Sequence, residues 1–175
     1  MANVRGPVQI ISPVPRREKL SRALKESPEI WNEETASVCQ HAADFLSNRT
    51  RGPMDSIIFD IDGTLVADET HCILPVKMLY NLALQRGYHV FIITARAKTP
   101  DNQLFTALML EKCGIEGYNS MFMRPPKDLD LFSYKEKRRK AIAEMGYYSI
   151  MSVGDMSFDF GAYGGVPIKI PTIKA

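Results

Sequence analysis

The sequence predicts an α/β protein in three layers, a parallel sheet with helices on both faces. Three observations carry this. Five short apolar runs read as strands: "SIIFD" (56–60), "HVFIIT" (89–94), "NSMFM" (119–123), "YSIMSV" (148–153) and "VPIKI" (166–170). Helical periodicity fills the intervals in "PVKMLYNLALQR", "PDNQLFTALMLEKC" and "SYKEKRRKAIAEM". Each helical stretch stops at a glycine (Gly87, Gly114, Gly146), a residue suited to the left-handed close of a helix. Such alternation means βαβ units, right-handed crossovers and a sheet buried on both faces.

Taken in order, the first segment is set apart by charge. Residues 1–25 hold Arg5, Arg16, Arg17, Lys19, Arg22 and Lys25 against Glu18 alone, a local +5 in a chain of net +2. Residues 1–26 are read as a basic, flexible arm and 27–175 as one domain with its core over 54–172. The arm is either a solvated terminus or a docking element for an acidic partner or a nucleic acid backbone. The lack of interleaved aromatics favours the first. A helix is expected over 28–48, with Ser27 as N-cap and Pro28 at the first position. Its packed face is read from Trp31, Val38, Ala42 and Phe45. After "NRTRGP" the strands and helices alternate. Pro167 cannot donate to a ladder, so the last strand belongs at an edge.

At 175 residues the chain suits one domain with a sizeable core. No apolar run approaches the roughly 20 residues of a membrane-spanning helix, and the N-terminus has no apolar leader segment. No membrane partner is expected. Cys39, Cys72 and Cys113 are odd in number and widely spaced, so they read as free, buried thiols. A cytoplasmic or other intracellular location follows as the default. Nothing in the sequence speaks to oligomeric state.

Open parallel sheets bind ligands beyond the C-terminal ends of their strands. There the sequence places Asp60 and Asp62, then Thr94, then Asp155 with Asp159 four residues on. Residues i and i+2 of an extended strand end point to one side, so Asp60 and Asp62 share a space. Several buried carboxylates repel one another, and a divalent cation resolves the conflict. An all-oxygen set suits Mg²⁺, whereas no Cys or His spacing suggests zinc. Paired carboxylates beside such an ion can serve as nucleophile and as proton donor and acceptor. Thr94 offers a hydroxyl, and Lys135 or Lys127 an ammonium, to a transferring phosphoryl group. Singly, each residue has a plain alternative, such as a turn aspartate or a surface lysine. Four coincidences in order, all at element ends, favour chemistry.

These segments resemble a known family. "DIDGTL" (60–65), "IITAR" (92–96), a following lysine and "GDMSFD" (154–159) look like the four ordered motifs of the haloacid dehalogenase (HAD) superfamily, over about residues 54–172. "YKEKRRKAIAEMGYYSIMSVGDMSFDFGA" followed by "PIKIP" is similar to the C-terminal half of its class III (IIIB-type) acid phosphatases. The resemblance implies a Rossmann-like, Mg²⁺-dependent phosphatase core. It makes Asp60 the nucleophile of an aspartyl-phosphate and Asp62 the acid/base, whose backbone carbonyl also reaches the metal. It puts Thr94, Ala95 and the motif-three lysine on the phosphoryl group. Asp155 completes the metal site with help from Asp159. The Tyr-Lys pair at 134–135 favours Lys135 over Lys127. One departure is "TAR" where "TGR" is usual.

Neither the gap after the first motif nor that between Thr94 and Lys135 holds a cap domain, so an open rim is expected. His71, in the short flap after the first motif, is a candidate leaving-group contact or a solvated loop residue. The leading expectation is a phosphomonoester hydrolase acting on a small molecule or a macromolecular end. One alternative is a polynucleotide 3′- or 5′-end phosphatase that docks through residues 1–25. Another is a non-catalytic scaffold on the same core, for which the intact motif residues give no support.

Overall fold

A computed structural model describes residues 27–173. The basic arm expected over 1–26 lies outside these residues. In chain order the elements are β1 (Glu29–Ile30), α1 (Glu33–Ser47), β2 (Asp55–Phe59), β3 (Val66–Asp68), β4 (His71–Ile73), α2 (Leu74–Gln85), β5 (His89–Ala97), α3 (Pro100–Lys112), β6 (Ser120–Arg124), α4 (Leu131–Glu144), β7 (Tyr148–Gly154), a 3-10 turn (Ser157–Asp159) and β8 (Val166–Lys169). Five strands form one sheet in the order β6-β5-β2-β7-β8, and each neighbouring pair is parallel.

Strand alternation sorts the core into two layers. Ile57 and Phe59 of β2, with Val90 and Ile92 of β5, pack against α1, α2 and α3. Ile58, Phe91 and Ile93 pack against Tyr134 and Ile142 on the α4 side. Helices thus cover both faces, as the alternation predicts. The central β2 is buried along its whole length, and Phe59 meets Tyr80 edge-on at 5.3 Å between ring centroids. Pro167 stands in β8, an edge strand, where its missing N–H removes no ladder bond. The glycines that close α2, α3 and α4 all have positive φ.

Three expectations need correction. The first helix starts at Glu33, and Asn32, not Ser27, caps it by accepting from the Thr35 N–H at 3.0 Å. The preceding residues are extended because Glu29 and Ile30 pair in parallel with Cys72 and Ile73, a long-range contact invisible to local propensity. The later start rotates the buried face to Thr35, Cys39, Ala42 and Leu46. Of the expected face, Ala42 is buried and Val38 packs half-buried against the core, whereas Trp31 and Phe45 are exposed. The flap is a hairpin: β3 and β4 are antiparallel, and β1 completes a small sheet in the order β1-β4-β3.

The third correction concerns the cysteines. Cys72 on β4 and Cys113 at the end of α3 form a disulfide, with Cα atoms 5.8 Å apart across 41 residues of sequence. Spacing alone gave no sign of it, because the fold brings the flap and the helix end together. The intracellular expectation loses the support it drew from free thiols. Cys39 is free, and burial pushes its thiol up to about 12. No helix among the described residues is long and apolar enough to cross a membrane.

Candidate active site

The three central strands β5, β2 and β7 deliver their C-terminal ends to one rim. β2 gives way at Asp60, whose N–H still donates to the Val153 carbonyl of β7 at 3.0 Å. β5 keeps pairing with β6 only through an irregularity: Ile93 faces Phe122, and the next partners are Ala97 and Arg124. The extra residues Thr94, Ala95 and Arg96 leave the ladder there, as in bulges that re-aim side chains near sites. β7 ends at Gly154, and the 3-10 turn brings Asp159 back beneath Asp155.

Asp60, Asp155 and Asp159 each offer a carboxylate oxygen within 4.8 Å of the others. Lys135, only 2% exposed, joins them from α4. Its Nζ donates to Asp60 Oδ1 at 2.9 Å and to the Ile93 carbonyl at 2.7 Å, and lies 2.7 Å from Asp159 Oδ1. Thr64 is fully buried, and its hydroxyl points at Asp60 Oδ2 from 3.4 Å. Asp159 is held in turn, because its Oδ2 accepts from the N–H groups of Asp155 (3.1 Å) and Met156 (3.0 Å).

The electrostatics follow from burial. Desolvation is the largest influence on Asp60 and, helped by Asp159 and Asp155, outweighs Lys135 and pushes the carboxyl up to about 7. Asp155 is also raised, chiefly by burial. Burial pulls Lys135 down, but Asp60 and Asp159 outweigh it and the ammonium is held above its ordinary value. Three carboxylates against one ammonium leave the pocket short of positive charge.

The donor set fits a hard divalent cation. All the ligand atoms are oxygens, and Asp155 Oδ1 is buried with no hydrogen-bond partner. The motif glycines make room for this carboxylate packing. A Cβ on Gly63 would run into the Asp155 carboxylate, and one on Gly154 into that of Asp159.

Not every expected residue joins the cluster. Asp62 does not, although it is two residues from Asp60. The regular strand ends at Phe59, so strict alternation stops there, and the fully buried Ile61 turns Asp62 outward. Its side chain is 56% exposed and receives a bidentate pair from Arg96, Nη2 to Oδ1 at 2.7 Å and Nε to Oδ2 at 2.9 Å. Thr94 is fully buried, and its Oγ1 accepts from the Arg96 N–H at 3.1 Å. The Ala95 carbonyl accepts from Arg124 Nε at 2.9 Å. Lys135, rather than the exposed Lys127, reaches Asp60. His71 turns to its own hairpin, with Nδ1 2.9 Å from Asp68 Oδ1, and this bond holds Asp68 down at about 2. Sequence reasoning passed over Arg96, Thr64 and Arg139. Arg96 was visible inside "TAR", and Arg139 one helical turn after Lys135, but neither has a meaning until its partners are known.

A profile described as "HAD superfamily, subfamily IIIB (Acid phosphatase)" matches residues 67–173, more than half of the chain. The chain belongs to this family. Membership classes it as a hydrolase of the phosphatase type. The matched span of this HAD chain opens after Asp60 and Asp62, and the fold brings Asp60 to the matched residues Lys135, Asp155 and Asp159. No curated protein matches it. Among solved structures, the chain is similar to one titled "Structure of Pnkp1/Rnl/Hen1 complex", with TM-score 0.60 and 19% identity over 73% of this chain and 50% of that one. A second, "Structure of the Pnkp1/Rnl/Hen1 RNA repair complex", gives TM-score 0.52 and 20% identity over 71% and 45%. The chain spans half or less of these proteins, and at such identity the likeness shows the fold.

Proposed function

We propose that the chain is a Mg²⁺-dependent phosphomonoester hydrolase that works through an aspartyl-phosphate on Asp60. The observation that carries this reading is the buried meeting of Asp60 with Lys135, Asp155 and Asp159. Asp60, Asp155 and Asp159, with the Asp62 carbonyl, would hold Mg²⁺, which would supply charge neutralisation for the phosphoryl oxygens. A carboxylate oxygen of Asp60 attacks phosphorus as the bond to the leaving oxygen breaks. Asp62 gives that oxygen its proton and later takes one from the attacking water. The water's oxygen bonds to phosphorus, the Asp60–phosphorus bond breaks, and inorganic phosphate leaves. Lys135, Thr94 and the Ala95 backbone bind the phosphoryl oxygens. For proton transfer Asp62 must swing from Arg96 towards the crevice, which its exposure permits.

The test is hydrolysis of an aryl phosphate with Mg²⁺, with EDTA, and by Asp60→Asn. Turnover that needs both the metal and Asp60 is expected. Undiminished turnover in either arm would overturn the reading.

A narrower substrate has its own support: the neighbour named as an RNA repair complex, and the +5 charge of residues 1–25. On this reading the substrate is a phosphorylated nucleic acid end. Activity on a 3′- or 5′-phosphorylated oligonucleotide would then fall steeply with salt and with removal of residues 1–25. Indifference to both would remove the arm from substrate binding.

A further inference from the structure

Arg139 is an unusual place for a charge. It lies on α4 four residues after Lys135, so the two side chains leave the same face of the helix. Only 3% of it is exposed. Burial lowers its pKa, yet an arginine stays charged. Its fork donates to three backbone carbonyls of a single loop: Nε to Ala162 at 2.9 Å, Nη1 to Phe158 at 3.1 Å and Nη2 to Phe160 at 3.2 Å. These carbonyls are spaced two residues apart and converge on one guanidinium, although the backbone runs from the 3-10 turn at Phe158 to the extended Phe160.

That loop joins the end of β7 to β8 and carries both Asp155 and Asp159. Apart from the 3-10 turn it has no regular element, and Gly161, Tyr163 and Gly165 all have positive φ. Such a path needs outside partners to hold it. Gly161 and Gly164 let the arginine approach: a Cβ on the first would sit 3.2 Å from Nη2, and one on the second 3.2 Å from Cδ.

We infer that Arg139 is a positioning residue for cation binding, clamping the loop of Asp155 and Asp159 to the helix that carries Lys135. The inference rests on the proposed Mg²⁺ site. One rigid helix then sets both sides of the pocket. Lys135 contacts the Asp60 and Asp159 carboxylates directly, and Arg139, one turn on, holds the backbone of the loop that carries Asp155 and Asp159. A lysine at 139 keeps the charge but loses the planar fork that spans three carbonyls.

The test uses the full chain and measures cation binding directly, by calorimetry with Mg²⁺ and by Mn²⁺ electron paramagnetic resonance. Steady-state kinetics on an aryl phosphate follow at a temperature where every variant is folded by circular dichroism. In Arg139→Lys, cation affinity is expected to fall at least about tenfold. At saturating Mg²⁺ its KM for the aryl phosphate should stay within about threefold, with kcat largely recovered. A variant that was merely unstable would bind the cation normally while folded. If Arg139→Lys does not fold, Gly164→Ala decides on the same readouts, because it keeps the buried charge and crowds the clamped loop, where its Cβ would meet Ser152 Oγ, the Gly161 carbonyl and Arg139 Cδ. Wild-type cation affinity in the deciding variant overturns the clamp and leaves the phosphatase reading intact. No divalent cation binding in the wild-type chain overturns that reading and the clamp with it.

Discussion

The two aspartates of "DIDGT" sit two residues apart and live in different worlds. Asp60 is buried, meets a buried lysine and shares its space with two further carboxylates. Asp62 is more than half exposed and meets an arginine on the rim. Burial is what differs, and it decides what each charge costs. An exposed ion pair is worth between nothing and about 1 kcal/mol. A buried carboxylate that faces two others is repelled until a cation arrives. The inner position suits a group that binds metal and attacks, while the outer one suits a group that must move and exchange protons with water.

The same Asp→Asn change at the two positions should therefore act differently. Asp60→Asn is expected to lower kcat by on the order of 10³ or more, since it removes a nucleophile. It should also raise the metal-free thermal midpoint, because it takes one repelled charge out of the pocket. Asp62→Asn is expected to lower kcat by on the order of 10² and to change stability by less than about 1 kcal/mol. Equal losses of activity with equal shifts in midpoint would erase the distinction. Rates with saturating Mg²⁺ and melting curves in EDTA supply both readouts.

How much of this was legible beforehand follows the range of the interactions. The sheet, its helices and the convergence of Asp60, Thr94, Lys135, Asp155 and Asp159 on one rim come from local periodicity and motif order. Both are written along the chain. The outward turn of Asp62 was not legible, because the alternation rule holds only while the strand lasts and β2 ends at Phe59. Glu29 and Ile30 left the expected helix for a strand because β4, over forty residues away, offered them partners. Trp31 and Phe45 suit a packed face by size but are exposed, while Val38 packs on the core and the smaller Cys39 and Ala42 let α1 lie close to α2. Long-range pairing and side-chain size at a helix contact have no signature in a single sequence.

The flap extends the contrast between inside and rim. Its hairpin follows Asp62, and the Cys72–Cys113 disulfide ties it to the end of α3. Closing a loop of this length is worth about 4 kcal/mol in the chain-entropy account. Cys113→Ser, or reduction, is expected to lower the thermal midpoint by about 10 °C, using about 2–4 °C per kcal/mol for a domain of this size. Because the carboxylate cluster contains no flap residue, Mg²⁺ affinity should hold. A large loss of Mg²⁺ affinity on reduction would show that the flap shapes the inner pocket too.

The last expected effect, a shift of the thermal midpoint with pH, depends on the inner pocket alone. Asp60 rises from its ordinary value, near 4, to about 7 on folding, and Asp155 rises too. A carboxyl raised in the folded state favours the native chain most when it is protonated. Its contribution is full below about pH 4 and is lost as pH climbs through about 7. Lys135 and Asp68 do not alter this window, the first being held above its ordinary value and the second near 2. In EDTA the thermal midpoint should therefore fall between pH 4 and pH 7. With excess Mg²⁺ the trend should reverse, since deprotonation then creates the ligands the ion uses. Asp60→Asn should flatten the metal-free descent, whereas Asp62→Asn should leave it in place. A flat metal-free profile in the wild-type chain would mean that burial and the neighbouring carboxylates do not raise Asp60, and the electrostatic difference between the two aspartates would disappear.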